Sequence, residues 1–495
     1  MSKSLRRERD FLGEMEIPEA GYYGIQTARA LNNFQITGTS ISRAPEMIRA
    51  LALVKKAACL ANYEHGVLPE EIARAIAAAC DEIADGKLHD QFVVDPIQGG
   101  AGTSTNMNAN EVIANRALEL LGHQKGEYDT IHPNNHVNCS QSTNDVYPTA
   151  LRLALSTMLT NLTGQARYLR EVFSAKAGEF ADVVKLGRTQ LQDAVPMTLG
   201  QEFAAYATTI NEDIERIREA RDLLREINLG ATAIGTAINT PAGYARTAVG
   251  HLRRLSGIEF VLSPNLIEAT WDTGAYVQVS GVLKRYAIKL SKICNDLRLL
   301  SSGPRAGLNE INLPKLQPGS SIMPGKVNPV IPELVNQVAY LVVGADATIA
   351  MASENGQLQL NVMEPVIAHC LFSSIEYIGR ASLALADKCV IGITANRKHC
   401  REMVDNSIGI VTALNPILGY ELSCRIAREA LQNDCSVVEV VLRENLLEKD
   451  ELDRALSIDN MVHRHVSDSG SYREGATQEE SGVARGHHFS STDKL

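Results

Sequence analysis

Between residues 149 and 390 apolar side chains recur at steps of three and four over unusually long runs. Leu151, Leu155, Leu159, Leu162, Leu169, Val172 and Phe180 trace one stripe between Pro148 and Gly187. Phe203, Tyr206, Ile210, Ile214, Ile217 and Leu224 trace a second, ending at Asn228-Leu229-Gly230. Leu283, Tyr286, Leu290, Ile293, Leu297 and Leu300 trace a third, stopped by Gly303-Pro304. A fourth run starts near Pro332 and reaches Glu354, and a fifth runs from Pro365 to Val390 before Gly392. Prolines at the starts and glycines past the ends are where helix termini favour them. The spacing predicts helices of roughly 25–35 residues, about 40–50 Å long at 1.5 Å per residue. Rods of that length bury their stripes only against one another, so the pattern predicts an elongated bundle of about five helices. The stripes are wider than one copy needs. Strand-like alternation is scarce and short, and the expected class is mainly α.

The flanks are expected to be smaller and mostly helical. Residues 1–45 read as loop, punctuated by Gly13, Pro18, Gly21 and Gly24. Helices are predicted over 46–63 and 70–84, each behind a proline, and another follows the turn Gln98-Gly99-Gly100-Ala101-Gly102 up to about Leu121. After Gly392 short helices are predicted over 397–407, 420–433, 436–444 and 450–457. From Ser467 the chain is rich in Gly, Ser, Glu and Gln with few apolar residues, the composition of a disordered tail. The expected division is 1–142, 143–396, 397–466 and a tail 467–495.

Composition narrows the partners. Of the 495 residues 45% are hydrophobic and 21% charged, ordinary for a globular protein. A net charge of −10 gives no reason to expect nucleic acid or an anionic membrane as partner. The segment Met1 to Asp10 is charged and lacks the apolar core of a signal peptide. The most apolar stretch, 335–352, is interrupted by Asn336, Gln337 and Asp346 and is expected not to span a bilayer. The nine cysteines are scattered without a Cys-x-x-Cys pair, which fits reduced thiols and a cytoplasmic location.

Several familiar chemistries are excluded by spacing. Gly319 to Lys326 imitates a phosphate loop, but five residues separate its glycines and Val327 stands where a Walker motif needs Ser or Thr. The residue three before Lys326 is Met323, so a penicillin-type Ser-x-x-Lys is absent. Gly99-Gly100-Ala101-Gly102 opens no βαβ unit. His132 with His136, and His463 with His465, lack further ligands at zinc-like spacing, and no metal site is expected. No Ala-Ser-Gly tripeptide exists that could cyclise into an electrophile. Four polar loops at helix ends are left: 102–106, 142–145, 187–190 and 319–329. Their small hydroxyls and amides, set at helix starts, suit carboxylate binding. Each alone also reads as a helix cap.

Gly319-Ser320-Ser321-Ile322-Met323-Pro324-Gly325-Lys326-Val327-Asn328-Pro329 resembles the signature of the fumarase/aspartase superfamily. The other three loops resemble its remaining blocks, and the likeness runs from about Leu12 to His465. Gly187-Arg188-Thr189-Gln190-Leu191-Gln192-Asp193 and Asn309-Glu310-Ile311-Asn312-Leu313-Pro314 are most similar to its aspartase branch. The resemblance implies reversible deamination of L-aspartate to fumarate, in a homotetramer whose sites are shared among three chains. It implies no cofactor, although a divalent cation activates some members, and it implies neither nucleic acid nor membrane as partner.

By the same resemblance Ser320 is the base. Thr103, Ser142, Thr143 and Ser321 hold the β-carboxylate, Lys326 and Asn328 with Thr189 hold the α-carboxylate, and Asn144 and Gln190 face the amino group. A serine hydroxyl is far too weak an acid to ionise near neutral pH unless donors favour its alkoxide, so the assignment requires backbone N–H groups around Ser320. Gln190 stands where most of the superfamily has histidine, which removes a titratable group. Two rival readings are fumarate hydratase, which Gln190 and Leu191 disfavour, and a helical scaffold without activity, which intact Ser320, Lys326, Asn328 and Thr143 disfavour.

Overall fold

The computed structural model describes residues 4–462. The expected tail and the His463/His465 pair therefore lie outside the described residues. Contacts divide the chain into two compact units, 1–186 with 197–404 and 187–196 with 405 onward.

The first unit is built on five long helices: α5 (Thr143–Glu179), α6 (Leu199–Asp222), α9 (Gly274–Leu300), α10 (Val330–Glu354) and α11 (Glu364–Lys388). They pack in a closed ring, α5 on α6, α6 on α9, α9 on α10, α10 on α11 and α11 back on α5. The mainly α class and the five-rod bundle are as the periodicity predicts. Phe173 of α5 and Phe180 just past its end meet Phe203 and Tyr206 of α6 at ring separations of 5.3–5.8 Å, the geometry aromatic pairs favour. Around the bundle lie α1 (Ile25–Asn33), α2 (Pro45–Glu64), α3 (Glu70–Ala84), α4 (Thr103–Leu120), α7 (Tyr244–Ser256) and the single turn α8 (Glu268–Trp271).

Three differences from the sequence reading have physical causes. The first 45 residues are not all loop: β1 (Leu5–Asp10) and β2 (Gly13–Pro18) form an antiparallel hairpin. Its hidden face carries charge, with Arg6 and Glu8 buried and paired at 2.8 Å, so no apolar alternation marks it. Second, α5 begins at Thr143 and contains Pro148, instead of starting behind it. The ring nitrogen of Pro148 has no hydrogen for the Asn144 carbonyl, and Asn228 Nδ2 donates to that carbonyl at 3.0 Å. Third, α10 is long and apolar enough to cross a membrane by length and composition. It nonetheless packs between α9 and α11 and holds Asp346 against Ser280 at 2.7 Å and Lys284 at 2.5 Å.

Direction along the bundle positions everything that follows. Tyr276, at the start of α9, donates to the Pro148 carbonyl near the start of α5. Lys185, six residues past the end of α5, bridges to Glu310, past the end of α9, at 2.8 Å. The 37 residues of α5 cover about 55 Å. The 142–145 segment and the base of the 319–329 loop thus stand at opposite ends of the rods.

In the second unit, helices α12 (Asn415–Leu418), α13 (Tyr420–Gln432), α14 (Val437–Arg443), α15 (Lys449–Ala455) and α16 (Ile458–Val462) follow a 3-10 turn, Ile408–Leu414. Ile410, Leu414, Ile426, Val437, Val440 and Leu452 are buried there. The same unit includes the tip of a hairpin formed by β3 (Val184–Thr189) and β4 (Gln192–Thr198).

Candidate active site

At one end of the bundle the starts of α4 and α5 are pressed together. Gly102, the residue before α4, faces the Tyr147 ring so closely that a Cβ would lie 2.3 Å from it. Only glycine allows that approach. One turn into α4, Asn106 Nδ2 donates to Thr143 Oγ1 at 3.1 Å. Thr103 and Thr143 therefore belong to one cluster. Thr103 is exposed, and its hydroxyl donates to the Gly100 carbonyl at 2.7 Å.

Ser142 is the N-cap of α5, as the cap reading of this stretch has it. Its Oγ accepts from Asn144 N–H at 3.3 Å, while its own N–H donates to Asp145 Oδ1 at 2.9 Å. Capping and substrate binding are compatible, because a hydroxyl that accepts one hydrogen bond keeps its proton for another acceptor. Asp145 Oδ2 takes N–H groups of Gly230 and Thr232, each at 3.0 Å, which fixes the turn from outside. Burial pushes the Asp145 carboxyl up to about 6 against those donors. The Asn144 amide donates to the Ala233 carbonyl at 2.7 Å.

The other end carries the 319–329 loop, largely exposed, with Ser320 and Asn328 half-buried and Ser321 and Lys326 exposed. Its neck is closed by Gly319 N–H on the Lys326 carbonyl and by Asn328 Nδ2 on the Gly319 carbonyl, both at 2.7 Å. Ser320 Oγ accepts two backbone N–H groups, from Ile322 at 3.2 Å and Met323 at 2.9 Å. These are donors of the kind that an ionised serine requires. Among the described residues no hydrogen bond links this loop to the 103–106 or 142–145 segments. Reach explains why. From Asn312, paired in β5 (Ile311–Asn312) with β6 (Thr394–Ala395), to Ser320 an extended chain covers about 27 Å. The helix separating the two ends is about twice that.

Thr189 and Gln190 stand exposed at the hairpin tip of the second unit. Gln190 and Leu191 both have positive φ, 55° and 61°, as a two-residue type I′ turn demands. Neither is Gly, Asn or Asp, so the turn is held in a conformation its side chains disfavour. Backbone strain of this sort collects at functional sites.

Sequence reasoning missed the layer under Thr143. Lys55 is fully buried, and its Nζ donates to Asn138 Oδ1 and Gln141 Oε1, each at 2.9 Å. Burial pulls its ammonium down to about 7, with Asp145 and Cys80 acting in the opposite sense. The signal existed: Lys55 shares the inner face of α2 with Ile48, Leu51 and Cys59. Among the described residues no group of three or more His, Cys, Asp or Glu side chains could hold a metal ion.

Comparison with known proteins completes the picture. A lyase family model matches residues 13–344 and a fumarase C C-terminal model matches 410–463. The chain is 60% identical over 462 residues to an aspartate ammonia-lyase of Helicobacter pylori, covering 93% of this chain and 99% of that one. It is 55% identical over 464 residues to the aspartate ammonia-lyase of Escherichia coli, covering 94% and 97%. A solved structure described as fumarate lyase:delta crystallin from Brucella melitensis bound to cobalt is 56% identical, with TM-score 0.90 over 92% of this chain and 99% of that one. A class II fumarase from Schistosoma mansoni superposes with TM-score 0.87 at 36% identity, over 92% and 98%.

Proposed function

The chain belongs to the lyase family that holds the fumarases and aspartases, and from that premise we propose that it is an aspartate ammonia-lyase. The observation that carries the mechanism is the pair of N–H donors on Ser320 Oγ. Two aligned donors favour the alkoxide over the alcohol, the same physics that stabilises oxyanions elsewhere. The alkoxide removes the C3 proton of L-aspartate, whose electrons pass into the β-carboxylate as a doubly charged aci-carboxylate. Those electrons then form the C2–C3 double bond, the C2–N bond breaks with its pair going to nitrogen, and fumarate and ammonia result. The serine proton passes on to solvent or ammonia, which restores the base.

Neutral donors suit the intermediate's carboxylate. Ser142 and Thr143 each have a hydroxyl proton uncommitted to the fold, Ser321 is assigned beside them, and Thr103 joins as a donor by turning its proton from the Gly100 carbonyl to the substrate. Lys326 and Asn328, with Thr189, hold the α-carboxylate, while Asn144 and Gln190 face the amino group. No cofactor is assigned a step.

The end-to-end separation within one chain supports assembly of the site from several chains. A homotetramer is proposed, with the Ser142, Thr189 and Ser320 loops supplied by three different copies. The exposed apolar side chains of α10, Leu334, Tyr340, Leu341 and Met351, support the same reading. A cytoplasmic location is supported by nine free cysteines. Formation of fumarate from L-aspartate, set beside formation from L-malate, tests the function. Turnover of malate alone, or of neither, would overturn it.

A further inference from the structure

The Ser142–Thr143 turn rests on buried side chains that the reaction above leaves unused. Lys55 donates to Asn138 Oδ1 at 2.9 Å. The same oxygen accepts from Asn106 Nδ2 at 3.2 Å and from Asn110 Nδ2 at 3.1 Å. Asn106 Nδ2 also donates to Thr143 Oγ1 at 3.1 Å.

The hydrogens of this chain have one consistent arrangement. The Gln141 carbonyl only accepts, so Asn138 turns its amide nitrogen that way and its oxygen toward Lys55, whose Nζ can donate to it whether charged or neutral. The reverse orientation of Asn138 would also set an NH2 group against two other amide NH2 groups. With that oxygen fixed, Asn106 must present Nδ2 to it, and the second hydrogen of Nδ2 points at Thr143 Oγ1. Thr143 then has a lone pair occupied on the protein side, and its own proton is left for an outside acceptor. Asn138 is itself held from behind, its Nδ2 donating to the Gln141 carbonyl at 3.3 Å.

We propose that Lys55, Asn138 and Asn106 form a positioning relay that sets the Thr143 hydroxyl as a donor toward the substrate carboxylate. It rests on the reading of Thr143 as a carboxylate ligand. Asn106 decides the direction of one proton, and Asn138, held between Lys55 and the Gln141 carbonyl, decides the direction of Asn106. A donor whose proton is already aimed needs no reorientation as charge develops, which is where preorganised sites gain most.

A double-mutant cycle on kcat/KM for L-aspartate tests this, using wild type, Thr143→Val, Asn106→Ala and the double variant, each confirmed folded by its melting temperature. Thr143→Val and Asn106→Ala are each expected to lower kcat/KM by about 10²-fold, the usual cost of one lost oxyanion donor. In the Thr143→Val background Asn106→Ala should cost less than about threefold more, because residues acting through one another do not add. Lys55→Met should behave alike, with a loss in wild type that vanishes in that background. Independent losses that multiply toward 10⁴ would overturn the relay. Full activity of Thr143→Val would instead overturn the ligand reading on which it rests. If Asn106→Ala does not fold, Asn106→Asp, of equal size, takes its place. Its carboxylate would draw the Thr143 proton inward, and its loss should likewise vanish in the Thr143→Val background.

Discussion

The hydroxyl of Ser320 accepts the backbone N–H of Met323 at 2.9 Å, so a largely exposed loop supplies its own donor to that oxygen. The donor lies three residues along the same loop. On the proposed reading of Ser320 as base, the base and the N–H that favours its alkoxide belong to one stretch of chain.

Ser320→Ala should lower kcat by about 10²–10⁴-fold, the usual contribution of a positioned base. Binding of succinate, which shares both carboxylates but has no leaving group, should stay within about threefold of wild type. Substantial deamination by a purified, folded Ser320→Ala enzyme would remove Ser320 from the role of base.

Replacing Met323 with its α-hydroxy acid analogue exchanges one N–H for an ester oxygen and keeps the side chain. Loss of that donor should lower kcat about 10²-fold and move the basic group seen in the kcat/KM profile to higher pH. An unchanged profile would mean that the bond seen in the free loop has no part in turnover.

A Cβ at position 319 would lie 2.9 Å from both the Lys326 carbonyl oxygen and the Asn328 nitrogen. Those are backbone atoms and cannot swing aside. Gly319→Ala should open the neck, displace Ser320 and cost about 10²-fold in kcat, as angstrom-scale misplacement does. Since the loop is exposed, stability should change by no more than about 0.5 kcal/mol. Turnover slowed by about 10²-fold with an unchanged melting curve is the expected pair of readings.

Burial pushes the Glu364 carboxyl up to about 8, only partly opposed by Arg152. A carboxyl whose pKa is raised on folding stabilises fully below its unfolded pKa of about 4.5, and that advantage is lost as pH rises through about 8. Glu364→Gln stays neutral throughout. Relative to wild type it should therefore gain stability between pH 5 and pH 9, by on the order of a few kcal/mol, read from paired melting curves. A difference flat with pH would show that Glu364 is ionised in the fold.

Lys185 joins two carboxylates, Glu202 at 2.6 Å and the fully buried Glu310 at 2.8 Å. Lys185→Met leaves buried charge without its partner, a change that usually costs about 3–5 kcal/mol. The half-life of activity at elevated temperature should fall by orders of magnitude. The double variant Lys185→Met with Glu310→Gln should recover part of the loss.

The bundle was legible because long amphipathic rods leave a periodic record that glycine and proline punctuate cleanly. The hairpin of residues 5–18 was not, because its inward side is Arg6 and Glu8 bound to each other and to backbone carbonyls, which resembles a solvated segment. Pro148 misplaced the start of α5 for a related reason. Asn228, 84 residues away, supplies the donor that makes the proline tolerable, and local rules have no access to it. Candidate site residues were legible as short polar blocks, yet their grouping was not. Sequence order places Ser142 and Ser320 on one chain, and only the opposed ends of α5 and α9 show that a single chain keeps them apart. The two glycines of the 319–329 loop play different parts. In the structure Gly319 is a point of close approach, and Gly325 is a left-handed turn residue with φ of 82°.

The hairpin tip at 187–196 groups with residues from 405 onward, and Ser407 Oγ reaches Asp193 at 3.5 Å. The strands leading to that tip begin and end in the bundle unit. Along the gene the two stretches are separated by some two hundred codons, yet in the folded chain they form one module. Recombination that exchanges the C-terminal segment between relatives thus replaces the surroundings of Thr189 and Gln190 without touching either codon. For anyone building hybrids of these lyases, the unit of inheritance is discontinuous.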